Sequence, residues 1–395
     1  MLKKLKYVLA ITASILAWPT YAQSWINVAD YGANGNDTVD DLSAINSAVA
    51  ALPARGGVVY FPPGNYRLAG KLNLPDKRVS LQGDGIGIST LEWTAVGGIR
   101  YAPTVLSSPS GADDGRELSI SKLTLRTQLA NGGSAIVATW PEANGQYAIT
   151  AYIKEVEIRG TSFTQYWGSG IVLTGARQSV IEDVTMVGAP SISYSVMDKG
   201  LQIISNNNST EHKIRNLNVY AANRGVIVQG GVAGTGSGPE GIYIDSSTFV
   251  NVGTGVYVNT ADSEPVTFVR GSHINAHLFG IDSEALNSVY ANNEIQTTDS
   301  GGVGIRVTGN PINVLINSNV FHGTQTGSGS NGVVLQANVS HSSVVNNHFL
   351  SGITCVWLQT GTQANFVAQN VFNGCTTNAL NQGSNTVFGW GAGTP

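Results

Sequence analysis

From about residue 120 onward a six-residue pattern repeats: an apolar residue, two variable ones, an inward one, one variable, then a large apolar one. Ile120-Ser-Lys-Leu123-Thr-Leu125, Ile181-Glu-Asp-Val184-Thr-Met186, Ile316-Asn-Ser-Asn319-Val-Phe321 and Val367-Ala-Gln-Asn370-Val-Phe372 are instances. The fourth positions fall at 123, 156, 184, 217, 247, 272, 293, 319, 347 and 370, at intervals of 21 to 33 residues. A second pattern alternates with the first: a glycine, then a short period-two run. It begins at Gly170, Gly200, Gly225, Gly255, Gly280, Gly304 and Gly332. Period-two runs are strands with one buried face, and the glycine marks the bend before each. Two strands per interval, joined by tight bends, describe one turn of a parallel β-helix. Turns stack about 4.8 Å apart, so ten of them make a rod on the order of 50 Å long. No 3.6-residue stripe runs through the region, which excludes a helical solenoid. A propeller would need about four strands per ~40 residues.

Composition narrows the class further. Hydrophobic residues make up 42% of the 395 positions, enough for a large core, and this excludes disorder. The 48 glycines follow no Gly-X-Y period, so collagen is excluded. A net charge of −4 argues against a nucleic-acid binder. The fourth hexad position changes from Leu123, Val156, Val184 and Leu217 to Asn293, Asn319, Asn347 and Asn370. An inward Asn at a bend hydrogen-bonds backbone and the Asn of the next turn, so these read as a structural ladder.

The first 22 residues read as a secretory leader, with Lys3, Lys4 and Lys6 before an apolar run and Thr20-Tyr21-Ala22 before the cleavage point. Cleavage after Ala22 predicts a secreted or periplasmic chain without membrane insertion. Cys355 and Cys375 lie 20 residues apart, about one repeat, so a bridge between neighbouring turns and two buried thiols are both open. The chain divides into the leader (1–22), a cap with the first turns (23–105), the β-helix (106–388) and a short tail (389–395).

Residues 26–68 are organised differently. Asp40 and Asp41 precede an apolar stripe at Leu42, Ile45, Val49 and Leu52, which predicts an amphipathic helix ended by Pro53 and Gly56-Gly57. The open end of a β-helix needs a cap, and this helix serves. The run Asn27-Val-Ala-Asp30-Tyr31-Gly32-Ala33, then Asp40-Asp41, then Gly56-Gly57-Val-Val-Tyr-Phe61-Pro62-Pro63-Gly64-Asn-Tyr66 resembles the pectate-lyase superfamily. It is most similar to the branch holding rhamnogalacturonases, epimerase-like proteins and phage tailspike depolymerases. The resemblance implies an all-β fold, a single-stranded right-handed parallel β-helix of about ten turns with a short N-terminal capping helix. It implies action on an acidic or deoxy-sugar polysaccharide, and tailspike relatives leave a homotrimer open. It does not select a reaction. The Asn-Thr-Asp, Gly-His-Gly and Arg-x-Lys stretches of polygalacturonase-like hydrolases, the Asp-Pro-His of mannuronan epimerases and calcium-binding nonapeptides do not occur, so no site carries over by motif.

Candidate chemistry therefore comes from faces. Two residues after each glycine the side chain points outward, which stacks Tyr257, Asp282 and Arg306 on consecutive turns. Glu284 lies on the same face, roughly 6–7 Å from Asp282 by strand rise. That separation overlaps the roughly 6.5–9.5 Å of an inverting glycosidase. Asp282 beside Arg306 stays ionised and is the base, and Glu284 is the acid; a surface ion pair is the plain alternative. The other outward row carries His273 and Glu294 on successive turns, with His277 nearby, a base that suits β-elimination of a uronic acid. Segments 107–117, 138–147, 189–199 and 230–240 read as insertions that shape a cleft. Trp140, Tyr166, Trp167 and Tyr194 are the candidates for stacking on sugars. Asp113, Asp114 and Glu117 either bind Ca²⁺ or are simply solvated; no other cofactor is expected. The reading is an exported polysaccharide lyase or glycoside hydrolase acting on an acidic extracellular or capsular polysaccharide. A non-catalytic glycan-binding or adhesive β-helix, or a uronate epimerase, is the alternative.

Overall fold

Each hexad turns a corner. Its third residue is in the left-handed region: Lys122, Glu155, Asp183, Asn216, Ser246, Asn292, Ser318, Asn346 and Gln369 all have φ between 47° and 57°. One left-handed residue redirects the chain without a loop. The first half of a hexad therefore belongs to one sheet and the second half to the next. The glycine strand supplies a third. In the computed structural model each turn has three strands, where the periodicity alone predicts two. The reason is that half of the corner residues, among them Lys122, Glu155, Ser246, Ser318 and Gln369, are types that carry no turn signature, so Asp183, Asn216, Gly271, Asn292 and Asn346 do not stand out as a series. The structure describes residues 24–105, 115–141, 150–206, 209–231, 238–260, 266–323 and 329–389. The leader, Asp113, Asp114 and most of the tail lie outside these.

The three sheets are parallel throughout. The first runs from Gly57–Tyr60 through Val79–Gln82 to Val387–Gly389, and the second from Gly64–Leu68 through Ser89–Trp93 to Val371–Phe372. The third begins at Lys71–Leu74 and Gly97–Tyr101 and ends at Gly352–Leu358 and Cys375–Asn381. Two turns precede the ten that carry hexads. The chain is a right-handed parallel β-helix.

Register puts like on like. The sixth hexad residues stack inside the rod, ending in Phe321, Phe349 and Phe372, with ring centroids 4.7 and 5.4 Å apart. The recurring glycines face this stack. A Cβ on Gly225 would come within 2.5 Å of the Gly255 carbonyl oxygen and would also strike the Phe249 ring. Gly170, Gly200, Gly255, Gly280, Gly304 and Gly332 are equally tight against the carbonyl oxygen of the next turn. Close approach of successive backbones, rather than a bend, is what demands glycine here.

The Asn ladder is present. Asn293 Nδ2 donates to Asn319 Oδ1, Asn319 Nδ2 to Asn347 Oδ1 and Asn347 Nδ2 to Asn370 Oδ1, at 3.0, 3.0 and 3.1 Å. The same oxygens accept the backbone N–H of the residue one turn back. These side chains thus satisfy donors that the left-handed corner removes from the sheet. At the N-terminal end the helix Leu42–Ala50 buries Ile45, Ala48 and Val49. Asp40 Oδ1 accepts from Leu42 N, while Asp41 accepts from Asn34 N and Arg67 N and fastens the helix to the second sheet. Near the other end Cys355 and Cys375 form a disulfide between consecutive turns, Cα to Cα 6.0 Å.

Candidate active site

In every hexad the tight left-handed corner joins the first sheet to the second, so from Leu118 onward that edge carries no insertions. The long connections leave at the other two corners. Residues 161–168, 188–198 and 323–330 lead from the second sheet to the third; 102–117, 140–150, 231–238 and 261–266 lead from the third to the first. Only the third sheet has long connections along both edges, so its outer face is the floor on which a cleft would be built.

Three outward rows run along that floor. The central row is Gln202, Ile227, Tyr257, Asp282, Arg306, Val334 and Trp357, one residue per turn. This is the stack expected from the spacing. Arg306 binds Asp282 with both prongs, Nε to Oδ1 at 2.8 Å and Nη2 to Oδ2 at 2.6 Å. Its guanidinium also covers the Phe279 ring at 3.9 Å. Asp282 is buried beneath it, 4% exposed. Each carboxylate oxygen therefore holds one guanidinium nitrogen, which keeps Asp282 ionised. The ion pair raises Arg306 above its ordinary value through its hydrogen bond to Asp282.

The row before the glycines was not anticipated: it lies three residues from the central row, the opposite face in a strict period-two strand, and it turns outward only because the inward-facing glycine breaks the alternation. It brings Lys199, Arg224 and Thr254 beside the central row. Lys199 Nζ is held by Asp198 at 2.9 Å and donates to Gln202 Oε1 at 3.0 Å. Arg224 lies over the Tyr257 ring, 4.9 Å from its centroid, and pairs with no carboxylate among the described residues. The third row contains Gln229, Asn259 and Glu284. Gln202 Nε2 donates to Gln229 Oε1 at 2.8 Å. Asn259 Nδ2 donates to the Tyr257 hydroxyl oxygen at 3.0 Å and reaches Glu284 Oε1 at 3.3 Å. Because the hydroxyl oxygen accepts this bond, its own proton is unspent. Glu284 is half-buried, and its pKa is raised, first by burial and then by the like charge of Asp282, with Arg306 opposing.

The alternative pair sits elsewhere. His273 Nδ1 is 3.1 Å from Glu294 Oε2, and His322 Nε2 approaches Glu294 Oε1 at 3.4 Å. These are outward on the second sheet, whose edge toward the first is the tight corner, so no wall rises on that side. His277, grouped with them by sequence, belongs to the corner between the second and third sheets. Its Nδ1 meets Asp299 Oδ1 at 2.8 Å, its Nε2 meets Asn251 Oδ1 at 2.9 Å, and its ring stacks on Tyr194 at 4.0 Å. Tyr194 thus anchors segment 188–198 against the rim. The ring fits because Gly253 has no Cβ, which would come within 3.1 Å of Tyr194 Cε2.

Two of the aromatic candidates are corrected. Trp140 and Trp167 are buried in the core, 1% and 0% exposed. Each indole N–H finds a backbone carbonyl, Arg116 O at 2.7 Å and Leu125 O at 3.3 Å, and the rings pack edge-on against Tyr101 and Trp93. Neither leaves a face for a sugar. Tyr166 is half-buried and hydrogen-bonds through its backbone to Gly132 and Leu129. Glu117 faces Arg78 at 4.0 Å. No group of three or more His, Cys, Asp or Glu among the described residues is placed to hold a metal ion. Among the described residues no helix is long and apolar enough to cross a membrane.

Residues 25–282 match the profile of the rhamnogalacturonase A/epimerase, pectate lyase-like family. The chain belongs to that family. Within the curated relatives of this pectate lyase-like protein, alginate lyase 7 of Azotobacter vinelandii is 31% identical over 34% of this chain and 17% of its own length. Mannuronan C5-epimerase AlgE6 of the same organism is 36% identical over 27% of this chain and 13% of its own. The matches thus span less than a fifth of those proteins. The A-module of mannuronan C-5 epimerase AlgE4 superposes over 92% of this chain and 100% of that module, with a TM-score of 0.61 and 17% identity, a likeness of fold.

Proposed function

We propose that this pectate lyase-like chain is an exported enzyme that cleaves an acidic polysaccharide laid along the third sheet by β-elimination. One observation carries the reading. A cation without a carboxylate partner among the described residues, Arg224, lies over a tyrosine whose hydroxyl proton is unspent, on the floor flanked by long connections. Arg224, with Lys199 beside it, pairs with the carboxylate of a uronate. That interaction acidifies the adjacent C–H. Water takes the C–H proton, the electron pair forms the double bond, the C–O bond breaks, and Tyr257 gives its hydroxyl proton to the leaving glycosidic oxygen and is reprotonated from solvent. Relatives named for alginate and mannuronan support a uronate polymer as the substrate. The basic, then apolar, run at the N-terminus supports export.

Glu284 favours a second reading. Burial and the charge of Asp282 move its pKa upward, the direction that suits a general acid, and with a water activated by another group the same face would hydrolyse a glycosidic bond. Purified protein incubated with acidic polysaccharides separates the two. Absorbance near ~235 nm, rising together with reducing ends, marks elimination, and reducing ends without absorbance mark hydrolysis. Solvent deuterium entering the sugar with neither signal marks epimerisation. Binding with none of the three marks a non-catalytic glycan-binding protein and ends the enzymatic reading.

A further inference from the structure

The central row of the third sheet continues past the charged residues. From Tyr257 it passes through Asp282, Arg306 and Val334 to Trp357, four turns on. Trp357 is half-buried on the outer face. Its indole N–H donates to Gln382 Oε1 at 3.2 Å, one turn further along, which fixes the ring's orientation. It makes no ring or cation contact with any described residue. Trp93, Trp140 and Trp167, in contrast, are buried and edge-packed. Its neighbours on the row are Val334, 3% exposed, and Leu380. The floor therefore changes along the rod. Lys199, Gln202, Arg224 and Gln229 lie toward the N-terminal end, and an uncharged stretch ending in an aromatic plate lies toward the other.

We propose that Trp357 is a distal sugar-stacking platform for the same acidic polysaccharide, setting the minimum chain length that the enzyme grips. The inference rests on the reading of the third sheet as the substrate floor. Four turns at about 4.8 Å place Trp357 about 19 Å from Tyr257, the reach of roughly four extended sugar units. A pyranose has one apolar face of C–H groups, and a half-exposed indole of fixed orientation is the surface such a face stacks on. The arrangement also gives the floor a polarity: carboxylates are read at one end and a ring face at the other, so a chain lying the wrong way round matches neither.

The test is turnover and binding of size-fractionated oligomannuronates, trimer against octamer, by wild type, Trp357→Ala, Trp357→Phe and Tyr257→Phe. For Trp357→Ala we expect KM on the octamer to rise about tenfold, as loss of one stacking contact implies. Its kcat and its behaviour on the trimer should stay as in wild type, and Trp357→Phe should restore most of the loss. A merely structural role would lower thermal stability and affect both lengths alike, and that result overturns the platform. So does an unchanged octamer KM in Trp357→Ala. If Tyr257→Phe loses turnover while Trp357→Ala changes nothing, the site reading stands and the platform falls. If the wild type neither binds nor turns over either oligomer, both fall.

Discussion

The guanidinium of Arg224 sits 4.9 Å from the centre of the Tyr257 ring, one turn before it in the stack. The contact joins a cation to a hydroxyl-bearing ring on a floor where Arg306 is already committed to Asp282 and Arg100, further back in the same row, to backbone carbonyls. The arginines of this face therefore have different work. Arg306 neutralises a buried carboxylate and stiffens the floor, and Arg224 is left for a ligand. Replacing Arg224 with Ala should weaken binding of an acidic oligosaccharide by about ten- to a hundredfold, in keeping with a charge-assisted pair worth ~1.5–3 kcal/mol. Tyr257→Phe should leave binding within about twofold and lower kcat by at least about a hundredfold, the usual worth of a general acid–base group. Steady-state kinetics with a binding isotherm for each variant checks both.

Glu284 gives a pH dependence. Burial and the charge of Asp282 hold its carboxyl above the ordinary carboxylate value, so it keeps its proton to higher pH than an exposed Glu. A step that needs the protonated form is fastest below that pKa and is lost as pH rises through it. In Asp282→Asn the like charge is gone and Arg306 is freed to favour the ionised form, so the titration moves to lower pH. The carboxyl ¹³C shift of Glu284, followed by NMR across the acid range in both proteins, measures this directly. A titration that stays put in Asp282→Asn contradicts the assignment.

His212 predicts the behaviour of the whole fold in acid. It is completely buried, Nε2 lies 2.7 Å from Ser209 Oγ, and Nδ1 has no partner. Burial pushes its pKa down to about 4 from 6.5. Between these two values the unfolded chain binds a proton that the folded chain refuses. Stability is therefore intact above pH 6.5 and falls as pH drops toward about 4, by on the order of 3 kcal/mol in total. The position pairs with Ile242 on the next turn, so His212→Leu should flatten this slope in a series of melting curves.

The disulfide predicts where unfolding starts. Cys355 and Cys375 close a 20-residue separation between the last turns. A loop of that size stabilises a fold by about 3 kcal/mol in the chain-entropy account. In Cys355→Ser/Cys375→Ser the amide protons of 375–389 should exchange markedly faster, while those of the helix Leu42–Ala50 keep their protection. Uniform acceleration along the chain would show instead that the rod opens as one unit.

Much of this architecture was legible because a solenoid repeats its physics. Glycine recurring before a period-two run, and Asn293, Asn319 and Asn347 replacing apolar residues at one hexad position, are signals that each turn re-enters. What stayed hidden has local causes. Lys122, Glu155 and Ser318 hold a left-handed conformation that their side chains do not advertise, so the third sheet per turn had no signature. Trp140 lies in a segment that reads as an insertion and Trp167 stands just before a glycine strand, yet their indole N–H groups meet backbone carbonyls and hold the rings inward. Sequence spacing does not report such partners. Arg224 was out of reach, since it lies three residues before the row that found Tyr257, Asp282 and Arg306 and strict alternation assigns it to the inner face; the glycine between them breaks that alternation.

The glycines that lie one above another have a bearing on how such a protein lengthens. From Gly170 to Gly332 each brings its backbone against the next turn in the same way, so the junctions between these turns share one backbone geometry. Neighbours on the floor, such as Tyr257 and Asp282, come from segments a full circuit apart in the chain. A duplication or loss of one whole circuit would therefore extend or shorten the floor by one rung and leave the chemistry on either side intact. In that sense the rod is a ruler whose graduations can be added in the gene, and the length of polymer it grips can drift in evolution without any change to the groups that act on it.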